Sequence, residues 1–434
     1  MSTISPVPKV EGRWRSLSSF GVALVMDGVE GGVVTTLFPM IRSALGLSLS
    51  SLGLLTGIGR FIGVIFGPFW VWVARRWSRK GVLVLFTGFW GVWAFAAGLS
   101  QNFTQLVIFT TIMAAGNAGG TPLIMEIISD LFDDGARGRA IGVLYGLNAL
   151  GVGVLTPALA VLSEVENGWR IGFFIAGGVS VLSGVLIQLF FTDPGLGATE
   201  PLMSALTAEQ RNENAKLTWA KAASILRVPT FLIIMGYRVL CGHLVVLAFL
   251  VVFLVDVYGF STLKASSVVP VYALGYFAGT ILGGFLTDSL HRRWPRTGRI
   301  GLFQGSVFTI ALVGYFATQL DWSLPLIMVF FALLAVFQGM QGPVNRPIVM
   351  SVMLPELRGA AFAIWLSIFE ALVAGVYLLA FGYFGDAYGL RVVFLWMVVI
   401  TTVLNGIFLT LLYRPYLRDS QKVQDVLAAR AGVR

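Results

Sequence analysis

The sequence Arg-Arg-Trp-Ser-Arg at residues 75–79 decides how the rest of the chain is interpreted. A close copy, Arg-Arg-Trp-Pro-Arg, occupies residues 292–296, at an offset of 217 (292 − 75). Each copy follows one long apolar segment and precedes another. The two basic runs therefore predict a duplicated chain, in which each half carries a charged loop between two hydrophobic helices.

A second set of landmarks supports the duplication. Arg137-Gly138 recurs as Arg358-Gly359, and Pro122 recurs as Pro343, both at an offset of 221 (358 − 137 and 343 − 122). Solenoid proteins have much shorter repeats of about 20–50 residues. Two related halves around a site at mid-membrane are a known plan of transporters.

The composition excludes a soluble enzyme. The chain is 57% hydrophobic and only 12% charged, whereas soluble domains carry roughly 25% charged residues. The single cysteine, Cys241, cannot form an intramolecular disulfide, and no cluster of Cys and His has the spacing of metal ligands. We therefore expect neither a metal nor any other cofactor.

Twelve apolar segments are long enough to cross a bilayer, which takes about 20 residues as a helix. Because backbone polar groups in lipid must be hydrogen-bonded internally, these segments are predicted to be helices. The predicted fold class is an all-α membrane protein with twelve transmembrane helices in two six-helix halves. The segments are approximately 17–41, 51–74, 81–99, 106–131, 140–162, 171–191, 229–255, 264–286, 300–320, 324–350, 360–384 and 392–412.

The longest polar stretch inside the chain, residues 192–228, predicts a linker between halves 1–191 and 229–434. Lys and Arg concentrate in one set of loops, which the positive-inside rule places in the cytoplasm. We therefore expect a multi-pass protein of the plasma membrane with a cytoplasmic linker and cytoplasmic termini. This distribution also accounts for the net charge of +9, so a nucleic-acid partner is not needed to explain it.

Four residues in the second half, Gly284, Asp288, Arg292 and Arg293, are similar to the cytoplasmic signature Gly-x-x-x-Asp-x-x-x-Arg-Arg of the major facilitator superfamily. With twelve predicted helices and paired basic loops, the chain resembles this family over nearly its whole length. The resemblance implies two halves latched by cytoplasmic charges. The first half has Val71 in place of the acid, so its latch is predicted to differ. The predicted cytoplasmic gate comprises Arg75, Arg76, Asp130, Arg137, Asp288, Arg292 and Arg358.

A narrower resemblance is to the spinster-like branch of that family. Residues 38–41 and 45–48 resemble its first loop, residues 127–132 resemble the end of its fourth helix, and Asp27 matches its acid in the first helix. Asn117 stands where that branch has a glutamate. The resemblance implies proton coupling and a lysophospholipid-like or other amphipathic lipid cargo.

Acidic residues within predicted spans are candidates for proton coupling, because each charge costs about 2.5–3.5 kcal/mol on insertion scales. Asp27 and Glu30 are three residues apart and share a helix face. They could also form a structural ion pair with Arg60, and Glu126 could serve only to hold helix ends together. The predicted coupling residues are Asp27, Glu30, Glu126 and Glu370.

Cationic and polar residues within the spans are the predicted substrate-binding groups. The family resemblance implies that helices 1, 4, 7 and 10 line a central cavity. A long cationic side chain near mid-membrane usually faces water, a partner acid or an anionic ligand. Buried histidines are more often structural than functional, and that alternative stays open. The predicted binding residues are Arg60, Asn117, Arg238, His243, Asn345 and Arg346.

These features together predict a secondary active transporter that works by alternating access, as a monomer in the lipid bilayer. The expected cargo is an amphipathic anionic or zwitterionic small molecule or lipid, moved with a proton. The alternatives are a drug or metabolite proton antiporter and a passive lipid scramblase or channel. The sequence contains neither a nucleotide-binding P-loop nor a Ser-His-acid set, so an ATP-driven pump and a hydrolase are not predicted.

Overall fold

A computed structural model describes residues 10–132, 134–195 and 223–430 of the chain. The fold consists of two compact helical units, Met1–Lys216 and Leu217–Arg434. Each unit is described by itself below.

The first unit contains six helical segments in chain order. Helix α4 is interrupted, and a short 3-10 turn, Val161–Glu164, follows α5. The bounds are α1 Arg13–Leu45, α2 Leu49–Arg76, α3 Arg79–Gly98, α4 Phe103–Asn117 continued as Gly120–Leu131, α5 Asp134–Ala160 and α6 Gly168–Phe190.

The second unit repeats this plan and adds a polar helix at its end. Helix α7 is interrupted, and α12 consists of short helical pieces from Leu390–Val393 to Leu409–Leu412. The bounds of the others are α7 Pro229–Val239 continued as Gly242–Tyr258, α8 Thr262–Arg293, α9 Gly298–Gln319, α10 Leu324–Ser351, α11 Pro355–Phe362 continued as Ala363–Tyr388, and α13 Tyr413–Arg430.

The described part of the chain is that of a multi-pass membrane protein. Ten of its helices are long and apolar enough to cross a membrane, and α7 is an eleventh if its two halves count as one span. The remaining predicted segment, 140–162, is helical within α5, but its apolar part is the shorter Gly151–Glu164. Twelve predicted spans are consistent with these findings, and the all-helical fold is confirmed.

Both units use the same helix pairings. Helices α2 and α4, α3 and α6, and α1 and α5 pack together in the first unit, and α8 and α10, α9 and α12, and α7 and α11 do so in the second. The helices approach closely at α8, where a Cβ on Gly279 would lie 1.8 Å from the carbonyl oxygen of Val336 on α10. Small residues allow this contact between helix backbones.

The repeated arginines Arg170 and Arg391 play matching parts in the two units. Arg170, in the first turn of α6, donates from Nη1 to the carbonyls of Gly98 and Ser100 at the end of α3, at 2.8 and 2.7 Å. Arg391, in the first turn of α12, forms an ion pair with Asp321 just beyond the end of α9. The hydrogen bond from Arg391 holds the pKa of the exposed Asp321 carboxyl below its usual value.

Helix α7 differs from the continuous helix predicted over 229–255. Its two halves meet at an angle of 48°. At the break, a Cβ on Gly242 would lie 1.5 Å from the carbonyl oxygen of Met397, in a π-helical stretch of α12, Phe394–Ile400. The close approach of α12 therefore shapes α7 at this point, and sequence periodicity carries no signal for it.

Candidate transport site

Side chains from neighbouring helices satisfy the backbone groups released by the break in α7. The hydroxyl of Tyr377 on α11 donates to the carbonyl of Val239 at 2.8 Å. The amide of Gln338 on α10 donates to the carbonyl of His243 at 3.0 Å. Because non-helical backbone at membrane depth is tolerated only with such partners, α10 and α11 hold this irregular segment in place.

The break positions a buried ion pair between Arg238 on α7 and Glu370 on α11. Glu370 directly follows a π-helical stretch, Ala363–Phe369, and π-bulges occur often at functional sites. The two side chains are only 10% and 27% exposed. Arg238 Nε and Glu370 Oε2 have no hydrogen-bond partner among the described residues, so each side chain keeps an unused bonding atom.

Neutral polar side chains surround this pair within the second unit. The hydroxyl of Tyr237 donates to Gln341 Oε1 at 2.9 Å, and Gln341 Nε2 donates to the hydroxyl of Ser306 at 2.8 Å. The imidazole of His243 is fully buried, and neither ring nitrogen is hydrogen-bonded within the described part of the chain. The interior next to the break is therefore polar, while its only described ion pair is Arg238–Glu370.

Two further predicted binding residues present exposed guanidinium groups on long helices, Arg60 near the middle of α2 and Arg346 five residues before the end of α10. Arg346 lies on α10 beside the buried Asn345, and Arg60 lies on α2. No carboxylate of the described ranges lies within 4.0 Å of either guanidinium group. The predicted ion pair of Arg60 with Glu30 is thus not present, and the side chain of Asp27 lies outside the described residues.

In the first unit, Glu30 of α1 is buried and accepts a hydrogen bond from the Asn117 amide of α4. Asn117 is the last residue before the interruption in α4. Beside it is a small cavity of about 20 Å³, room for about one water molecule. The cavity is lined by Ala23, Leu24, Asn117, Gly120, Thr121, Ile124 and Ser180.

A network of charges at the C-terminal end of α4 is centred on Arg79, the last arginine of the repeated motif. Its guanidinium forms ion pairs with Asp130 of α4 and with Asp193, just after α6, and lies 3.6 Å from Glu126. Arg75 lies 3.6 Å from the other oxygen of Glu126. The network joins α2, α3, α4 and the segment after α6.

Arg79 and Asp193 were not among the site residues predicted from the sequence. Arg75 and Asp130 were predicted at the gate, and Glu126 was predicted among the coupling acids. The structure brings all three into the same network. The repeated basic motif could have indicated Arg79. Nothing in the sequence indicates its partner Asp193, which lies 114 residues away along the chain.

Two other predicted gate residues make local contacts. The guanidinium of Arg76 lies over the ring of Trp72, at 4.5 Å from its centroid. Arg358 donates from Nε to the carbonyls of Met350 and Met353, at 3.0 and 3.3 Å. Arg358 therefore satisfies backbone carbonyls at the end of α10, where a helix leaves them without partners.

The structure leaves three other gate residues without a described ionic partner. Asp288 and Arg292 lie exposed near the end of α8, and no ion pair joins either of them to another residue of the described ranges. The side chain of Arg137 lies outside the described residues. The predicted gate roles of these residues stay predictions.

The sequence was also compared with protein families. The model of the family described as Major Facilitator Superfamily matches residues 20–320 and 268–430. The chain belongs to the Major Facilitator Superfamily. This membership agrees with the multi-pass membrane fold and with the composition, which argued against a soluble enzyme.

The curated proteins that resemble this chain are named for different cargoes. It is 25% identical over 289 residues to the probable sulfoacetate transporter SauU of Cupriavidus necator, covering 64% of each chain. It is 34% identical to the probable L-galactonate transporter of Escherichia coli, over 32% of this chain and 30% of that one. It is 22% identical to the niacin transporter NiaP of Acinetobacter baylyi, over 74% and 76%. The chain thus spans less than two thirds of the length of the first two.

A spinster protein is among the solved structures that resemble this chain. A bacterial homologue of the human lysosomal transporter Spinster, solved in an inward-facing and unoccupied conformation, matches with a TM-score of 0.73 and 19% identity, over 96% and 99% of the chains. The nucleoside transporter NupG matches at 0.70 with 15% identity, over 92% and 100%. At these identities the structures share the superfamily fold, and they carry no information on cargo.

Proposed function

We propose that this superfamily member is a proton-coupled transporter of an organic anion, working by alternating access. The incomplete buried ion pair Arg238–Glu370 carries the proposal. Charges within spans usually mark a substrate or ion pathway, and this pair joins the broken helix α7 to the π-helical stretch of α11. Each partner retains an atom with which to bind something else.

The pair supplies a simple exchange mechanism. When Glu370 is ionised, it neutralises Arg238. When Glu370 is protonated, Arg238 can bind the carboxylate or sulfonate of a cargo, through charge-assisted hydrogen bonds about twice as strong as neutral ones. One proton and one anion then enter together, so the net charge of the buried site stays the same. Binding of either one alone would leave an uncompensated buried charge, which is costly.

The two exposed guanidinium groups support an anionic cargo. Arg346 on α10 and Arg60 on α2 lie in long apolar helices, and neither has a described carboxylate partner. A cation at such a depth requires water or an anion. The cargoes in the names of three relatives, sulfoacetate, L-galactonate and niacin, are acids that are anionic at neutral pH. A small organic acid is therefore favoured over the lysophospholipid-like cargo that the sequence also predicted.

The other predicted coupling acids have weaker support. Glu126 lies among arginines at the end of α4, where it is held by ionic contacts. Glu30 is held by the Asn117 amide and remains a second candidate, together with Asp27. We further propose a location in the plasma membrane with both termini in the cytoplasm, because the basic loops favour that orientation.

Reconstituted protein in proteoliposomes provides the test. A panel of radiolabelled acids, beginning with nicotinate and sulfoacetate, is offered with and without an imposed proton gradient. We expect Glu370→Gln to abolish accumulation driven by the gradient while exchange of cargo between the two sides persists. Arg238→Ala should abolish both. Asp386→Asn, which removes an exposed carboxylate from the same helix, is the matched control and should accumulate cargo normally.

Two outcomes contradict the proposal. Normal gradient-driven accumulation by Glu370→Gln would exclude Glu370 as the coupling residue and make Glu30 and Asp27 the next variants to test. Transport that only equilibrates cargo in the wild-type protein, whatever the gradient, would establish the passive scramblase or channel alternative.

A further inference from the structure

The C-terminal helix α13 displays three basic residues on one face. A different face anchors it to the second unit. Its anchored face consists of Tyr416, Asp419 and Val423, all of them buried. Spacings of three and four residues place these side chains on one side of a helix. Tyr416 belongs to the apolar core of the second unit. The orientation of α13 about its axis is therefore fixed by packing.

A buried carboxylate strengthens this anchoring. Asp419 Oδ2 accepts hydrogen bonds from the backbone N–H and the hydroxyl of Thr230, at 3.0 and 2.8 Å. Thr230 lies in the first turn of α7, where the helix dipole favours a negative charge. Helix α13 thus supplies the N-terminal cap of the half of α7 that carries Arg238.

The outer face of α13 carries Arg414, Arg418 and Lys422, all exposed and spaced four residues apart. Arg418 Nε also lies 3.5 Å from Asp419 Oδ1, but its side chain stays 60% exposed. This basic stripe follows directly on a membrane span. The pieces of α12 from Leu390 to Leu412 would cover roughly 34 Å at 1.5 Å per residue, close to the roughly 30 Å of the hydrocarbon core. Arg414 and Arg418 then lie about 3 and 9 Å beyond Leu412, which is the depth of the lipid headgroups.

A second basic element lies beside the stripe. The hydroxyl of Tyr413, the first residue of α13, donates to Gln304 of α9 at 3.1 Å. Helix α9 follows the loop that carries the repeated basic motif. At the start of that loop, Arg293, the last residue of α8, lies over the ring of Trp294, 5.0 Å from its centroid, and Trp294 is 50% exposed. Tryptophan is enriched at membrane interfaces.

We propose that the basic stripe of α13, together with the loop around Trp294, binds the headgroups of anionic phospholipids. Clusters of four to eight basic residues next to a transmembrane helix or on an amphipathic helix are typical of such binding. Because Asp419 fixes α13 to the start of α7, lipid binding also stabilises the α7 terminus. This inference does not depend on the identity of the cargo or on proton coupling.

Lipid retention in nanodiscs tests the surface. The variant Arg414→Gln/Arg418→Gln/Lys422→Gln is compared with wild type in phosphatidylcholine alone and with added phosphatidylglycerol, and retained lipid is counted by native mass spectrometry. Each basic residue near a charged surface contributes about fivefold, or about 1 kcal/mol. We therefore expect the triple variant to bind phosphatidylglycerol on the order of 100-fold more weakly, and Arg418→Gln alone about fivefold more weakly.

The matched control changes exposed, uncharged residues of the same helix, Gln421→Ala/Gln424→Ala, and should retain phosphatidylglycerol like wild type. Unaltered retention by the triple variant would overturn the proposal. If the triple variant does not fold, the single Arg418→Gln variant decides by the same criterion. In wild type, phosphatidylglycerol should also slow hydrogen exchange in residues 229–239. That protection should vanish in Asp419→Asn, whose basic stripe is intact, and persistent protection would disprove the link to α7.

Discussion

Replacing Arg79 by alanine tests whether the charge network of the first unit stabilises the fold. The side chains of Arg79 and Asp130 are only 5% and 7% exposed, and that of Asp193 is 29% exposed. Removing one member of a buried ion pair typically costs about 3–5 kcal/mol, because the remaining charge loses its compensation. We expect Arg79→Ala to fall in this range, since a single guanidinium serves both aspartates.

The effect is large enough for a thermal assay. For units of 150–250 residues, 1 kcal/mol corresponds to roughly 2–4 °C in Tm. Arg79→Ala in detergent should therefore melt about 6–20 °C below wild type by tryptophan fluorescence. Arg79→Lys keeps the charge but lacks the planar fork that can hold two carboxylates at once, so we expect an intermediate loss.

The neighbouring Arg76 is the matched control. It is exposed and lies over the Trp72 ring, a contact that contributes about 0.5–1 kcal/mol at exposed sites. Arg76→Ala should therefore lower Tm by no more than about 4 °C. If Arg79→Ala and Arg76→Ala melt within 2 °C of each other, the network around Arg79 does not stabilise the first unit, and our reasoning about its buried carboxylates is wrong.

Two further predictions concern packing and topology. Gly242→Ala should greatly reduce the yield of folded protein in size-exclusion chromatography, because its Cβ would lie 1.5 Å from the Met397 carbonyl, whereas Gly284→Ala, with nothing within 4 Å of its Cβ, should behave like wild type. In a Cys241→Ser background, Ala215→Cys should resist an impermeant thiol reagent in intact cells. Labelling there would contradict the cytoplasmic placement of the linker.

The helical plan could be read from the sequence because membrane spans leave a strong signal. Each of the twelve predicted apolar segments is helical, and the duplicated motif at 75–79 and 292–296 corresponds to the junctions between α2 and α3 and between α8 and α9. Length and composition suffice for this, because backbone polar groups in lipid must be hydrogen-bonded within the protein, and a helix satisfies nearly all of its own.

Charge partners could not be predicted in the same way. The sequence analysis identified Arg238 and Glu370 separately, as a binding residue and a coupling residue, and only the packing of α7 on α11 joins them. The break in α7 was missed for a related reason. It depends on the approach of Met397 to Gly242 and on the side chain of Tyr377, which lie far away along the chain.

The duplication conserves the packing of the two units but not their charges. In the first unit the buried acid Glu30 of α1 accepts a hydrogen bond from the Asn117 amide. In the second unit the acid Glu370 forms an ion pair with Arg238, and in the proposed mechanism a proton and an anion bind there together without a change in net charge. Because an uncompensated charge is costly inside a membrane, we propose that the Arg238–Glu370 pair of the second unit loads proton and cargo together. The buried ion pairs of Arg79 in the first unit lie at helix ends, where we expect them to act on stability. The two sites are therefore predicted to affect different properties. Substitutions at Glu370 should alter coupling before they alter stability, and substitutions at Arg79 should alter stability before they alter coupling.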